Sequence, residues 1–102
     1  MDLTLLYFDG CPNWQTMADR LDTLAGELDL EVSRQTVTTA EEAEAVGFLG
    51  SPTLMVDGHD PFAEGGDPAG LSCRVYVTPD GPAGSPTLAQ LRAVLTAAGE
   101  RS

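Results

Sequence analysis

A strand, a helix and a second strand follow one another in residues 3–37, and this order constrains the fold more than any other feature. Residues 3–8 (LTLLYF) are nearly all apolar and end at Asp9-Gly10, which is typical of a strand buried on both faces. An apolar stripe with spacings of three and four predicts a helix from Trp14 to Leu28. Residues 30–37 (LEVSRQTV) predict a second, less buried strand. Such a β-α-β unit implies two parallel strands joined by a right-handed crossover.

The rest of the chain predicts two helices and two strands. Thr39 and Glu42 form a capping box that opens a short helix ending near residues 47–50. Residues 53–56 and 72–77 predict an antiparallel pair of strands, and Ser85-Pro86 predicts the start of a last helix that Gly99 ends. The order β-α-β-α-β-β-α therefore predicts an α/β fold with a four-stranded mixed sheet and helices on both faces.

Composition narrows the classes of function. The 102 residues are 42% hydrophobic, which suits one domain spanning residues 1–102. The net charge is -11, with no lysine, which argues against nucleic acid and anionic membranes as partners. No apolar run reaches the ~18 residues of a membrane span, and Asp2 stands where a signal peptide carries positive charge. We therefore expect a cytoplasmic protein.

Two short motifs resemble those of the thioredoxin fold. Cys11-Pro12-Asn13-Trp14 stands at the place of the family's Cys-x-x-Cys, and Gly50-Ser51-Pro52-Thr53 stands at the place of its cis-proline loop. With the order of elements, the resemblance covers nearly the whole chain. The chain looks most like a branch of small bacterial thioredoxin-like proteins that are sometimes labelled alkylmercury-lyase-like. Trp14 replaces the family's second cysteine, so the usual local dithiol cannot form.

Cys11 is the candidate nucleophile. It lies just before a predicted helix, where unpaired backbone N–H groups and the helix dipole favour a thiolate. We therefore expect the pKa of the Cys11 thiol to lie below its ordinary value, with Asp9 opposing the shift if its carboxylate faces the thiol. The alternative is a small buried hydrophobic residue at a strand-to-helix turn.

The resemblance also implies a set of substrate-binding residues around Cys11: Pro12, Asn13, Trp14, Ser51, Pro52 and Thr53. A cis Pro52 would place the backbone of Ser51 beside Cys11, where it could bind an extended peptide or a glutathione-like ligand. Simpler alternatives are a turn at Pro52, core packing for Trp14 and turn formation for Asn13.

Two further residues could bear on the chemistry. Cys73 begins the predicted fourth strand, on the order of 16 Å from the end of the sheet near Cys11, so pairing of the two cysteines is not expected. His59 is the only histidine and is expected in a solvated turn with no metal.

These features favour a thioredoxin-like thiol-redox or thiol-transfer protein. Cys11 would act alone, and a protein thiol or a small thiol such as glutathione would resolve its disulfides. We therefore expect a thiol–disulfide oxidoreductase activity that needs no cofactor. Whether the chain forms a homodimer is left open. The alternatives are a module that binds a soft metal such as mercury or copper, and a non-catalytic interaction domain that keeps the fold.

Overall fold

A computed structural model of the chain describes residues 2–8, 10, 12–48, 50–62 and 74–100, with side chains described as far as residue 98. The secondary structure of these residues consists of five strands and three helices. In chain order they are β1 (Leu3–Tyr7), α1 (Asn13–Leu28), β2 (Val32–Thr36), α2 (Ala40–Val46), β3 (Thr53–Val56), β4 (Tyr76–Thr78), β5 (Gly81–Ala83) and α3 (Leu88–Glu100).

The central sheet is mixed and has the strand order β2-β1-β3. β1 pairs with β2 in parallel, with Leu3 opposite Val32, as the β-α-β pattern predicts. β1 pairs with β3 in antiparallel fashion, with Leu6 opposite Thr53. The start of β3 therefore lies beside the end of β1. The prediction of an α/β fold with a mixed sheet is confirmed.

The helices cover the two faces of this sheet because neighbouring side chains of β1 point in opposite directions. Leu5 packs with α1 and α3, which contribute Leu21 and Leu91 to the same core cluster. Leu6 packs on the other face with Phe48 and with Ala43 of α2. β2 lies at the edge of the sheet and is mostly exposed, which fits its polar sequence.

The predicted four-stranded sheet is not found among the described residues. β4 pairs with β5 in a separate two-stranded sheet, with Val77 opposite Pro82. Residues 79–82 (PDGP) have a sequence that is typical of a turn. In the structure, the Thr78 side chain closes the turn between β4 and β5. Its hydroxyl donates to the Gly81 carbonyl and accepts from the Asp80 N–H.

The ends of the two shorter helices show which capping signals were correct. Thr39 caps α2 by accepting from the Glu42 N–H at 3.1 Å, and Gly47 ends the helix in a left-handed conformation with φ 72°. The predicted cap of α3 at Ser85 is wrong. The hydroxyl of Thr87 accepts from the Gln90 N–H instead, and α3 begins at Leu88. The helix also continues through Gly99, so that residue is not its C-cap.

Candidate functional site

The segment that leads to Cys11 lies beside the Gly-Ser-Pro-Thr loop. Leu6 is opposite Thr53 in the sheet, and two residues later the Phe8 N–H donates to the Ser51 hydroxyl at 3.3 Å. The Ser51–Pro52 peptide bond is cis. Cys11 and Asp9 lie outside the described residues. The described residues therefore join the segment before Cys11 to the Gly-Ser-Pro-Thr loop at one end of the sheet.

The start of α1 follows Cys11 by two positions in the sequence. Pro12 is its N-cap, with φ -71° and ψ -11°, and no side-chain hydrogen bond caps this end in the part of the chain described. No acidic residue stands in the first turn. The first N–H groups of a helix carry partial positive charge, and at α1 neither a capping side chain nor a carboxylate of its own first turn offsets it.

Trp14 is part of the packing between α1 and β1. Its ring stacks on Tyr7, with centroids 4.3 Å apart and an interplanar angle of 21°. The side chain is half-buried and packs against the core cluster that contains Leu21 and Leu91. The apolar stripe predicted this packing, and it leaves part of the indole exposed at the start of the helix.

Asn13 faces the loop between β5 and α3. A Cβ atom added at Gly84 would overlap the Asn13 side chain, so the amide packs directly on the backbone of that loop. A cavity of about 110 Å³ lies beside this contact and is also lined by Thr16, Arg20 and Ser85. Asn13 therefore has a packing role that links α1 to the loop before α3.

The other motif is buried. Ser51, Pro52 and Thr53 are nearly inaccessible to solvent, whereas Pro12 is exposed. The structure thus separates the six predicted substrate-binding residues into two groups. Three stand at the accessible start of α1, and the side chains of the other three point into the protein.

Arg74 and Tyr76 hold the Gly-Ser-Pro-Thr loop in place, and we name these two residues the Arg74–Tyr76 brace. The Arg74 N–H donates to the Ser51 carbonyl at 3.0 Å, and the Tyr76 hydroxyl donates to the Pro52 carbonyl at 2.5 Å. The Arg74 guanidinium donates to the Thr53 hydroxyl at 3.3 Å, and that hydroxyl donates to the Gly50 carbonyl at 2.6 Å. The brace therefore bonds directly to Ser51, Pro52 and Thr53, and Thr53 in turn bonds to Gly50.

The brace is itself fixed by a buried ion pair. The Arg74 guanidinium donates to the Asp60 carboxylate, and the two side chains are only 9% and 6% exposed. The guanidinium also lies 4.5 Å from the centroid of the Tyr76 ring, and Phe62 packs against that ring edge-on at 5.5 Å. Burial raises the pKa of the Tyr76 phenol, and the nearby charge of Arg74 opposes this shift in part.

The position of Arg74 corrects one argument from the sequence. From the sequence, the start of the fourth strand was predicted to lie at the end of the sheet remote from the Ser51 loop. The hydrogen bond from the Arg74 N–H to the Ser51 carbonyl shows that Arg74 lies at the Ser51 end instead. Cys73 itself lies outside the described residues. The estimated separation of on the order of 16 Å therefore gives no reason to exclude pairing of the two cysteines.

His59 lies at the opposite end of β3 from Ser51. It is exposed and exchanges backbone hydrogen bonds with Val56 at 2.7 and 3.0 Å, as a turn residue does. Within the described ranges, no group of three or more histidine, cysteine, aspartate or glutamate side chains could hold a metal ion. A cavity of about 600 Å³ next to His59 is also lined by Val94 and Ala98 of α3.

The sequence analysis did not identify the brace. One signal was available, since Arg74, Tyr76 and Thr78 alternate with Val75 and Val77, and such alternation places one set of side chains inward. The usual preference of apolar side chains for the interior would turn Val75 and Val77 inward. The structure shows the reverse, with Val75 and Val77 exposed by 69% and 80% and Tyr76 buried.

Comparison of the chain with models of known protein families, with curated proteins and with solved structures finds no match. Among the residues described, none of the helices has the length and apolar character needed to cross a membrane. The geometry and chemistry of the described residues are therefore the basis for inferring a function.

Proposed function

We propose that this chain is a thioredoxin-like thiol-redox or thiol-transfer protein in which Cys11 is the nucleophile. The observation that carries the proposal is the hydrogen bond from the Phe8 N–H to the Ser51 hydroxyl, because it joins the segment before Cys11 to the loop before β3. The parallel β1–β2 pair and the antiparallel β1–β3 pair support the same resemblance.

The start of α1 supplies the physical reason for an activated thiol. A cysteine at a helix N-terminus has a lowered pKa because the N–H groups and the dipole favour its thiolate form. At α1 the first turn carries no acidic side chain that would oppose this effect. The thiolate is the reactive form in disulfide exchange, so Cys11 would react near neutral pH.

The proposed reaction has two exchange steps. The Cys11 thiolate attacks one sulfur of a substrate disulfide, which forms a mixed disulfide with Cys11 and releases the other sulfur as a thiolate. A second thiolate, supplied by another protein or a small thiol, then attacks the substrate sulfur of the mixed disulfide. This step releases the Cys11 thiolate and a new disulfide, so electrons and protons balance without a cofactor.

Substrate contacts in this proposal come mainly from the exposed side of the site. Pro12 is exposed and Asn13 and Trp14 are half-buried, so these three residues can contact a molecule that approaches Cys11. Ser51, Pro52 and Thr53 are buried and would contribute the shape of their backbone rather than side-chain contacts. A partly apolar rim of this kind suits a peptide or a small thiol.

The test is the formation of a mixed disulfide with oxidised glutathione at pH 7, followed by intact mass spectrometry. We expect one added glutathionyl group on the wild-type chain and on Cys73→Ser, and none on Cys11→Ser. Labelling that is equal on both cysteines would contradict a selectively activated Cys11. Loss of two hydrogen atoms by the monomer, oxidised by the glutathione disulfide and abolished in Cys73→Ser, would show that the second thiol is internal rather than external.

A non-catalytic interaction domain is the second candidate. The observation that favours it is that Ser51, Pro52 and Thr53 each accept a hydrogen bond from within the protein. Such bonds stabilise a fold and do not require a reaction at the loop. The two candidates differ in the reactivity of Cys11. If its thiol reacts with disulfides no faster than free cysteine does, the interaction domain is the better description.

A further inference from the structure

The Arg74–Tyr76 brace contacts the same loop that the proposed function places opposite Cys11. Three successive residues of that loop receive a hydrogen bond from the brace, at the Ser51 carbonyl, the Pro52 carbonyl and the Thr53 hydroxyl. The other side of the loop contacts the end of β1 through the Ser51 hydroxyl and the Phe8 N–H. The loop is therefore held between the brace and the segment that leads to Cys11.

The composition of the brace suggests a role beyond stability. Arg74 and Asp60 are buried charges, and the desolvation of such a pair commonly costs as much as its attraction returns. Apolar side chains of similar size could fill the same space with equal stability, but they could not donate to the loop. A guanidinium and a phenol can each hold a backbone or hydroxyl oxygen at a fixed distance.

We infer that Arg74 and Tyr76 are positioning residues, which set the Ser51–Thr53 loop against the end of β1 and thereby the geometry in which the Cys11 thiol reacts. This inference rests on the proposed thiol function. Neither residue is expected to contact the substrate. Their effect reaches the thiol through the hydrogen bond between the Phe8 N–H and the Ser51 hydroxyl, so variants that still fold should have an altered reactivity of Cys11.

The test compares Tyr76→Phe with Val77→Ala, both on a Cys73→Ser background that leaves one thiol. Tyr76→Phe removes only the hydroxyl that donates to Pro52, whereas Val77 is exposed on the same strand and serves as a matched control. The rate of Cys11 alkylation by iodoacetamide is measured from pH 5 to pH 10. We expect the midpoint of the Tyr76→Phe profile to rise and its rate at pH 7 to fall about tenfold, which is less than the roughly 10²-fold loss that a misplacement of about 1 Å can cause.

Arg74→Lys is a second variant, which keeps the positive charge but lacks the planar fork that reaches both Asp60 and Thr53. Urea titration beforehand restricts the kinetics to variants that are folded under the assay conditions. If the parent thiol is activated and both variants keep its pH midpoint and rate, the positioning role is wrong and the proposed function stands. If the parent thiol itself has an ordinary midpoint, the proposed function fails and the positioning role fails with it.

Discussion

Substitution of Arg74 by methionine is the sharpest test of the buried ion pair, since it removes the guanidinium and keeps much of the side-chain volume. Asp60 would remain only 6% exposed and would retain one described donor, the Phe62 N–H at 3.0 Å. Breaking one partner of a buried pair in this way costs about 3–5 kcal/mol, because an uncompensated charge stays in the interior. The change also removes the bond to Thr53 and the contact with the Tyr76 ring.

The assay is urea unfolding followed by the fluorescence of Trp14, the only tryptophan. A loss of this size is a large part of the roughly 5–15 kcal/mol by which small domains are stable. Arg34→Met is the matched control, because the Arg34–Asp22 pair is 45% and 63% exposed and should contribute only about 0–1 kcal/mol. The double variant Asp60→Leu/Arg74→Met removes both charges and should recover most of the lost stability.

Two results would refute this reasoning. If Arg74→Met lowers the free energy of unfolding no more than Arg34→Met does, the Arg74–Asp60 pair is not a buried interaction in solution. If the double variant is as unstable as Arg74→Met alone, the stranded carboxylate of Asp60 is not the cause of the loss.

Three further predictions concern stability. Gly26→Ala should raise the free energy of unfolding by about 0.5–1 kcal/mol, measured by urea titration, because Gly26 is exposed within α1 and an added Cβ meets nothing within 4 Å. Gly84→Ala should lower it by about 1–3 kcal/mol in the same assay because the new methyl group overlaps Asn13, and the added substitution Asn13→Ala should recover part of the loss. The raised pKa of Tyr76 favours its neutral form in the folded state, so this contribution is complete below about pH 10 and declines as the pH rises further. Unfolding measured from pH 8 to pH 11 should show a decline that is smaller in Tyr76→Phe, and equal declines would contradict the burial of this phenol.

The first half of the fold could be predicted because its signals are local. The apolar stripe of α1, the Thr39–Glu42 cap and Gly47 each act within a few residues, and the structure has these elements close to where they were predicted. The parallel pairing of β1 with β2 follows from the β-α-β unit, whereas the antiparallel pairing of β3 with β1 was not predicted.

The second half depends on contacts that periodicity does not reveal. β5 contains Gly81 and Pro82, residues that ordinarily indicate a turn, and its pairing with β4 depends on the side chain of Thr78. The start of α3 is marked by a capping box, Thr-x-x-Gln at Thr87–Gln90. Ser85-Pro86, with serine and then proline, also matches the usual start of a helix, and it was chosen instead.

The meeting of the two motifs stays a prediction, because Cys11 lies outside the described residues. The Phe8–Ser51 hydrogen bond joins the segment before Cys11 to the second motif. The Arg74–Asp60 ion pair was not predictable, because the two residues are far apart in sequence and a charged pair in the interior contradicts the usual preference of these residues for solvent.

The pKa of the Cys11 thiol is the most direct test of the account as a whole. It is measured on Cys73→Ser by the absorbance of the thiolate at 240 nm between pH 4 and pH 10, with Cys11→Ser as the blank. The account predicts a midpoint clearly below about 8.5, the value of a free cysteine. A midpoint at or above that value would remove the physical basis of the proposed thiol chemistry.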